Sequence, residues 1–131
     1  MGYQSINFGQ KFGLFQEQWQ PKVIAEMNDY QFKIVKLEGD FVWHHHRDTD
    51  ETFIVIEGTL RIDFRDGAVD APLARCSSSR RVSSTNRMQT ARSNCCLSSR
   101  AVCRIQGMKG ANGPLNRMSG FDRPLLTVVE P

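Results

Sequence analysis

From Pro21 to Gly67 the chain runs as short extended segments closed by turns, a pattern few folds other than β-structure accept. "PKVIAEM" opens on Pro21, and Asn28-Asp29 follows as a turn. "YQFKIVKLEG" sets Phe32, Ile34 and Lys36 on one side and Lys33, Val35 and Leu37 on the other, a strand apolar on both faces. "DFVWHHH" reads as a second strand, closed by the polar turn Arg47-Asp48-Thr49-Asp50. "ETFIVIEG" reads as a third, ending at Gly58. "TLRIDFRDG" is a fourth, with Leu60, Ile62 and Phe64 inward and Arg61, Asp63 and Arg65 outward, and Asp66-Gly67 signals a hairpin. Short strands punctuated this way predict an all-β sandwich or barrel. The preceding "NFGQKFGLFQEQW" is compatible with a short helix or an irregular arm.

Beyond about Asp70 the composition changes. Residues 1–70 hold 7 Lys and Arg against 12 Asp and Glu, whereas residues 71–131 hold 10 against 2, so a net charge of −5 gives way to +8. Seven of eight Phe, both Trp and both Tyr precede the break; all four Cys and nine of ten Ser follow it. "RCSSSRRVSSTNRMQTARSNCCLSSR" shows neither helical period nor alternation, and "GMKGANGPLNRMSGFDRP" is coil by composition. The chain therefore divides into 1–70, the N-terminal part of a β-barrel domain, and 71–131, an irregular, poorly packed segment. At 131 residues there is room for one core, not two.

The N-terminus shows no apolar run behind a basic flank, and no stretch nears the ~20 apolar residues of a membrane span, which predicts a cytoplasmic protein without membrane partners. In that compartment Cys76, Cys95, Cys96 and Cys103 are reduced, and their spacing is not that of a zinc site. The Arg/Ser-rich segment lacks the interleaved aromatics of a nucleic-acid surface, so no nucleic-acid partner is expected.

All three histidines stand together, in "GDFVWHHHRDTDETFIVIEG". On a strand, His44 and His46 share a face and His45 points away. Glu51, after a turn, opens the neighbouring strand and brings a carboxylate to the same point. Two imidazoles and one carboxylate suit Fe, Mn, Zn, Ni or Co and leave coordination positions open. Phe41 and Trp43 lie beside these residues as core or pocket lining, and Arg47, Asp48 and Asp50 form a solvated turn.

The order Gly39, four residues, His44-x-His46, four residues, Glu51, six residues, Gly58 resembles the first signature motif of the cupins. The flanks "GDFVWH" and "DTDETFIVIEGTLRI" look like the small single-domain bacterial members, over about residues 19 to 70. The resemblance implies a jelly-roll β-barrel with a metal inside, held by His44, His46 and Glu51. It also implies a homodimer and a small-molecule ligand. The parent activity would be that of a metal-dependent isomerase or dioxygenase; a non-catalytic ligand-binding module is the alternative.

The family's second motif runs Gly, five residues, Pro-x-Gly, two residues, His, and supplies a fourth ligand. No histidine follows His46 here. Reading each codon from 71 onward one base earlier, with suitable synonymous codons, yields APGEMFVVPKGVEHKP and then YADREVKLLLIEP. The first peptide contains the missing motif, its histidine straddling the codons of Ser84 and Thr85, and a stop is permitted between Phe121 and Asp122. Loss of one base near Asp70 would account for the Arg, Ser and Cys surplus; the alternative is a genuine basic tail. The expected consequences are an incompletely closed barrel with exposed strand edges, marginal stability, and a metal held weakly for want of the fourth ligand.

Overall fold

Six strands and one short helix make up the regular structure of this computed structural model, which describes residues 4–44, 46, 49–79 and 86–100. The helix α1 (Phe8–Phe12) is capped by Asn7, whose side-chain oxygen accepts the Gln10 amide. Strands β1 (Lys22–Met27) and β2 (Tyr30–Asp40) form a hairpin about Asn28, whose positive φ of 54° suits asparagine in a tight turn. β3 (Glu51–Phe64) and β4 (Gly67–Pro72) form a second hairpin, pairing Phe64 with Gly67 across the turn Arg65-Asp66, one residue before the expected Asp66-Gly67. β5 (Cys76–Ser79) and β6 (Asn86–Arg100) complete an all-antiparallel sheet.

The strand order is β1-β2-β6-β3-β4, with β5 also on β3. β3 is long enough to take β6 along one edge and, on the other, β5 beside its first residues and β4 beside its last. The all-β architecture expected from the alternation is present, as is the jelly roll that the resemblance implies.

Both faces of the sheet are covered. On the inner face Val35 and Leu37 of β2, Phe53, Val55, Leu60 and Ile62 of β3, and Cys95 and Leu97 of β6 pack with Phe41 and Ala71. Each such aliphatic or aromatic side chain contributes about 1.5–3 kcal/mol by leaving water. On the outer face Ile24, Ile34 and Cys96 meet Phe12 and Phe15, so the N-terminal arm is the lid of the outer cluster. That is why β2 reads as apolar on both sides.

Three features depart from the sequence reading. The second strand expected at "DFVWHHH" is not found among its described residues: β2 runs on to Asp40, residues 41–43 carry no regular structure, and His44 forms only an isolated bridge. A register shift between Leu37 and Gly39, with φ of +80° at Gly39, bulges β2 there, and pairing with β6 resumes at Gly39 and Asp40, where the strand ends. "ETFIVIEG" and "TLRIDFRDG" are one strand of 14 residues, not two. Gly58 (φ +80°) bulges that strand instead of ending it: a Cβ there would lie 2.1 Å from the Arg92 carbonyl oxygen.

The third departure concerns residues 71–100, whose composition suggested irregular chain. β4 continues to Pro72, and β6 sits at the centre of the sheet between β2 and β3. Ladder hydrogen bonds use backbone groups common to all residues, so two neighbouring edges hold a segment whose side chains advertise no strand. The cysteines do the apolar work that Val or Leu would signal more plainly. Residues 80–85 and 101–131, including Cys103 and the codons carrying the recovered histidine, lie outside the described residues.

Candidate metal centre

The path of the chain after the Gly39 bulge brings the two described histidines back over the inner face. His44 and His46 are both buried, with rings 5.2 Å apart and nearly perpendicular at 81°. Glu51, the first residue of β3, is wholly buried. Strand alternation puts it on the same face as Phe53 and Val55. One ligand atom from each of His44, His46 and Glu51 lies within 4.8 Å of the others, so all three predicted residues meet at one point. His45, Arg47 and Asp48, named with them from the sequence, lie outside the described residues, and Asp50 is exposed.

Each donor is aimed. His44 Nδ1 lies 3.0 Å from the Val42 carbonyl oxygen, which can only accept, so the ring proton sits on Nδ1. Nε2 therefore keeps its lone pair, and it is buried. His46 Nε2 and Glu51 Oε2 are 3.1 Å apart yet lack the alignment of a hydrogen bond. That arrangement suits two donors converging on a third point better than two donors satisfying each other. Glu51 Oε1 is also buried and accepts no hydrogen bond among the described residues. Leaving a carboxylate so placed costs several kcal/mol unless a cation joins it. The donor set, two imidazole nitrogens and a carboxylate, fits a divalent transition metal.

Sequence reasoning missed how far the aromatic wall reaches. Phe41 is buried, stands edge-on to His44 at 5.0 Å and stacks on Trp19 at 4.8 Å. Trp19 adopts a left-handed backbone (φ 59°), which costs a non-glycine residue roughly 1–2 kcal/mol. Two hydrogen bonds of 2.9 Å to β2 hold it there, its amide to the Lys36 carbonyl and its indole Nε1 to the Glu38 carbonyl. No short-range signal in "QEQWQ" indicates this, because the contact is made across nineteen positions. Trp43, the other candidate lining residue, is half-buried and carries the Arg65 guanidinium over its ring at 4.1 Å.

A second polar group shares the inner face. Lys33 of β2 is buried, with Nζ 3.0 Å from the Ser99 hydroxyl of β6. Ser99 is paired with Gln31, and Ser98 with Thr52 beside Glu51, so this contact lies along the sheet from the centre.

No family model matches the chain. A 43-residue stretch, 33% of this chain, is 51% identical to the uncharacterized protein YdbB of Bacillus subtilis, and the match spans 38% of that protein's length. The crystal structure of a cupin-2 domain containing protein from Shewanella frigidimarina superposes with a TM-score of 0.68 at 48% identity, covering 71% of this chain and 91% of that one. Protein NMB1881 from Neisseria meningitidis superposes with a TM-score of 0.66 at 28% identity, over 74% of this chain and 99% of its own.

Proposed function

The chain belongs to the cupin family, and on that premise we propose that it is a metal-binding cupin in which His44, His46 and Glu51 hold a divalent Fe, Mn, Zn, Ni or Co ion. The observation that carries this is the meeting of three buried donor atoms within 4.8 Å, one of them from a wholly buried carboxylate. When bound, such an ion supplies Lewis acidity toward a ligand oxygen, water or O2, the chemistry an isomerase or dioxygenase draws on. The protein's part is positional: Val42 fixes the tautomer and tilt of His44, Glu51 supplies the negative charge, and Trp19 with Phe41 keeps one side dry.

Three protein ligands make a weak site, and we expect a dissociation constant above about 1 μM. The test is metal bound at equilibrium in dialysis against Zn or Mn, compared with Glu51→Ala. Wild type should bind metal at least about tenfold more tightly than the variant. Equal binding by folded variant and wild type would remove the site.

A non-catalytic module is the second reading. It is favoured by the aromatic wall against His44, which offers an apolar ligand contact without any acid or base of its own. Oxygen consumption or turnover by the loaded protein separates enzyme from binder. The partners expected under either reading are a small-molecule ligand and a second copy of the chain. Sedimentation equilibrium should accordingly give twice the 14.9 kDa of one chain.

A further inference from the structure

The segment that carries His44 has little regular structure to hold it. β2 ends at Asp40, residues 41–43 are irregular, and Val42, whose carbonyl orients the His44 ring, is itself exposed. A donor on irregular chain is aimed only as well as its side-chain neighbours aim it, and a site about 1 Å too loose no longer serves. Phe41 is the aromatic ring against His44, nearly perpendicular to it (84°) at 5.0 Å. It is buried in the inner cluster, where Trp19 stacks on it at 4.8 Å and 18°. Four rings thus run in contact from the N-terminal arm to the centre: Trp19, Phe41, His44 and His46.

The outer end of this row is anchored on the sheet. The Trp19 amide donates to the Lys36 carbonyl and the indole Nε1 to the Glu38 carbonyl, both at 2.9 Å, so β2 sets where the indole stands. Gln18 adds an isolated parallel bridge to Lys36 beside it. The Trp19 backbone is left-handed (φ 59°), which a residue with a Cβ keeps only where its surroundings over-determine it. Relaxing φ to a negative value would swing the indole off Phe41. Strain of this kind gathers at functional sites, and here it lies two rings from a buried donor.

We infer that Trp19 is a positioning residue for the centre: anchored on β2, it holds Phe41 against His44 and so fixes the direction in which His44 Nε2 points. The N-terminal arm is thereby part of the centre, although it supplies no donor. The importance of this hold rests on the reading of His44 as a metal ligand, but the hold itself exists without the ion. Removing the indole lets residues 41–44 take up other arrangements and loosens the contact of His44 Nδ1 with the Val42 carbonyl. The ring proton is then shared between Nδ1 and Nε2, and a protonated Nε2 is no donor to a metal.

The test reads the His44 ring in the metal-free protein. Long-range 1H–15N spectra at about pH 8, where imidazole is neutral, report which nitrogen carries the proton. Wild type should show the Nδ1-protonated form at His44, Trp19→Leu and Phe41→Leu a mixture of both forms, and Trp19→Phe, which keeps a ring on Phe41, a return toward wild type. Zn binding by equilibrium dialysis should weaken about three- to tenfold in Trp19→Leu, the worth of one aromatic pair. The double variant should bind no worse than Phe41→Leu alone, because Trp19 acts through Phe41. Ile24→Ala, in the outer cluster, should lower Tm yet leave both readouts at wild type, which separates positioning from stability. An unchanged His44 proton position in a folded Trp19→Leu or Phe41→Leu variant, or additive losses in the double variant, overturns the inference. Zn binding by wild type no tighter than by Glu51→Ala removes the metal reading instead, and the proton position still decides the role of Trp19.

Discussion

At the scale of single residues, the grouping of His44, His46 and Glu51 was legible because metal chemistry restricts which side chains could serve and how far apart they stand. His44, His46 and Glu51 are found together, although His44 and His46 stand beyond the end of β2, outside the named strands. Two residues apart in an extended loop still put side chains on one side, so the outcome survives a change in local structure. The thiols carry a separate prediction. Burial pushes both Cys95 and Cys96 from 9.0 up to about 11. The fold prefers the neutral thiols, so their contribution to stability is complete below pH 9 and is lost as pH rises from 9 through about 11. The urea midpoint should therefore be lower at pH 10.5 than at pH 8. At pH 8 in native buffer only the exposed Cys76 among the described cysteines should react with a thiol reagent, the buried pair following on unfolding.

At the scale of elements, turns were easier to read than strand ends. Asn28-Asp29 marks a turn in the structure, and the hairpin signalled by Asp66-Gly67 is present with its turn one residue earlier, at Arg65-Asp66, because turn chemistry is local while register is set by the pairing of Phe64 with Gly67. Gly58 was misread as a terminus because a glycine inside a strand and one after it look alike in sequence. Only the partner strand distinguishes them, through the approach of Arg92. Gly58→Ala should accordingly destabilise by about 3 kcal/mol or more, since the backbone oxygen of Arg92 has no flexible route away and the φ of +80° is unfavourable for alanine. Denaturant unfolding of the variant checks this, and a loss under about 1 kcal/mol would mean that β6 shifts freely there. β6 itself was invisible to alternation because its buried positions hold Ser and Cys. Its existence is decided by the two edges that flank it.

At the scale of the whole molecule, a strand from the second half lies in the middle of a sheet built largely from the first, so the chemical break near Asp70 is no boundary in the fold. The second half therefore matters to the centre even where its residues fit poorly. Glu51 is held against a sheet whose central strand is β6, and a looser β6 is a less preorganised site. If the codons behind residues 71–100 carry the earlier frame with the synonymous bases that spell the second motif, inserting one base ahead of codon 71 places a histidine at position 85 and leucines at positions 95 and 96. The resulting protein should bind Zn or Mn at least about tenfold more tightly than the chain described, by calorimetric titration. Equal affinity would mean that the second half contributes nothing to the centre.

The sequence alone determined the period-two pattern, the turn at Asn28-Asp29 and which three residues, His44, His46 and Glu51, come together, because each depends on residues close together in the chain. Tertiary structure alone decided that Gly58 is a bulge, that Trp19 stacks behind Phe41, and that a serine- and cysteine-bearing segment is the central strand. These are contacts between segments up to some sixty positions apart, such as Lys33 with Ser99. Their free energy depends on which surfaces meet, and no local window contains both partners.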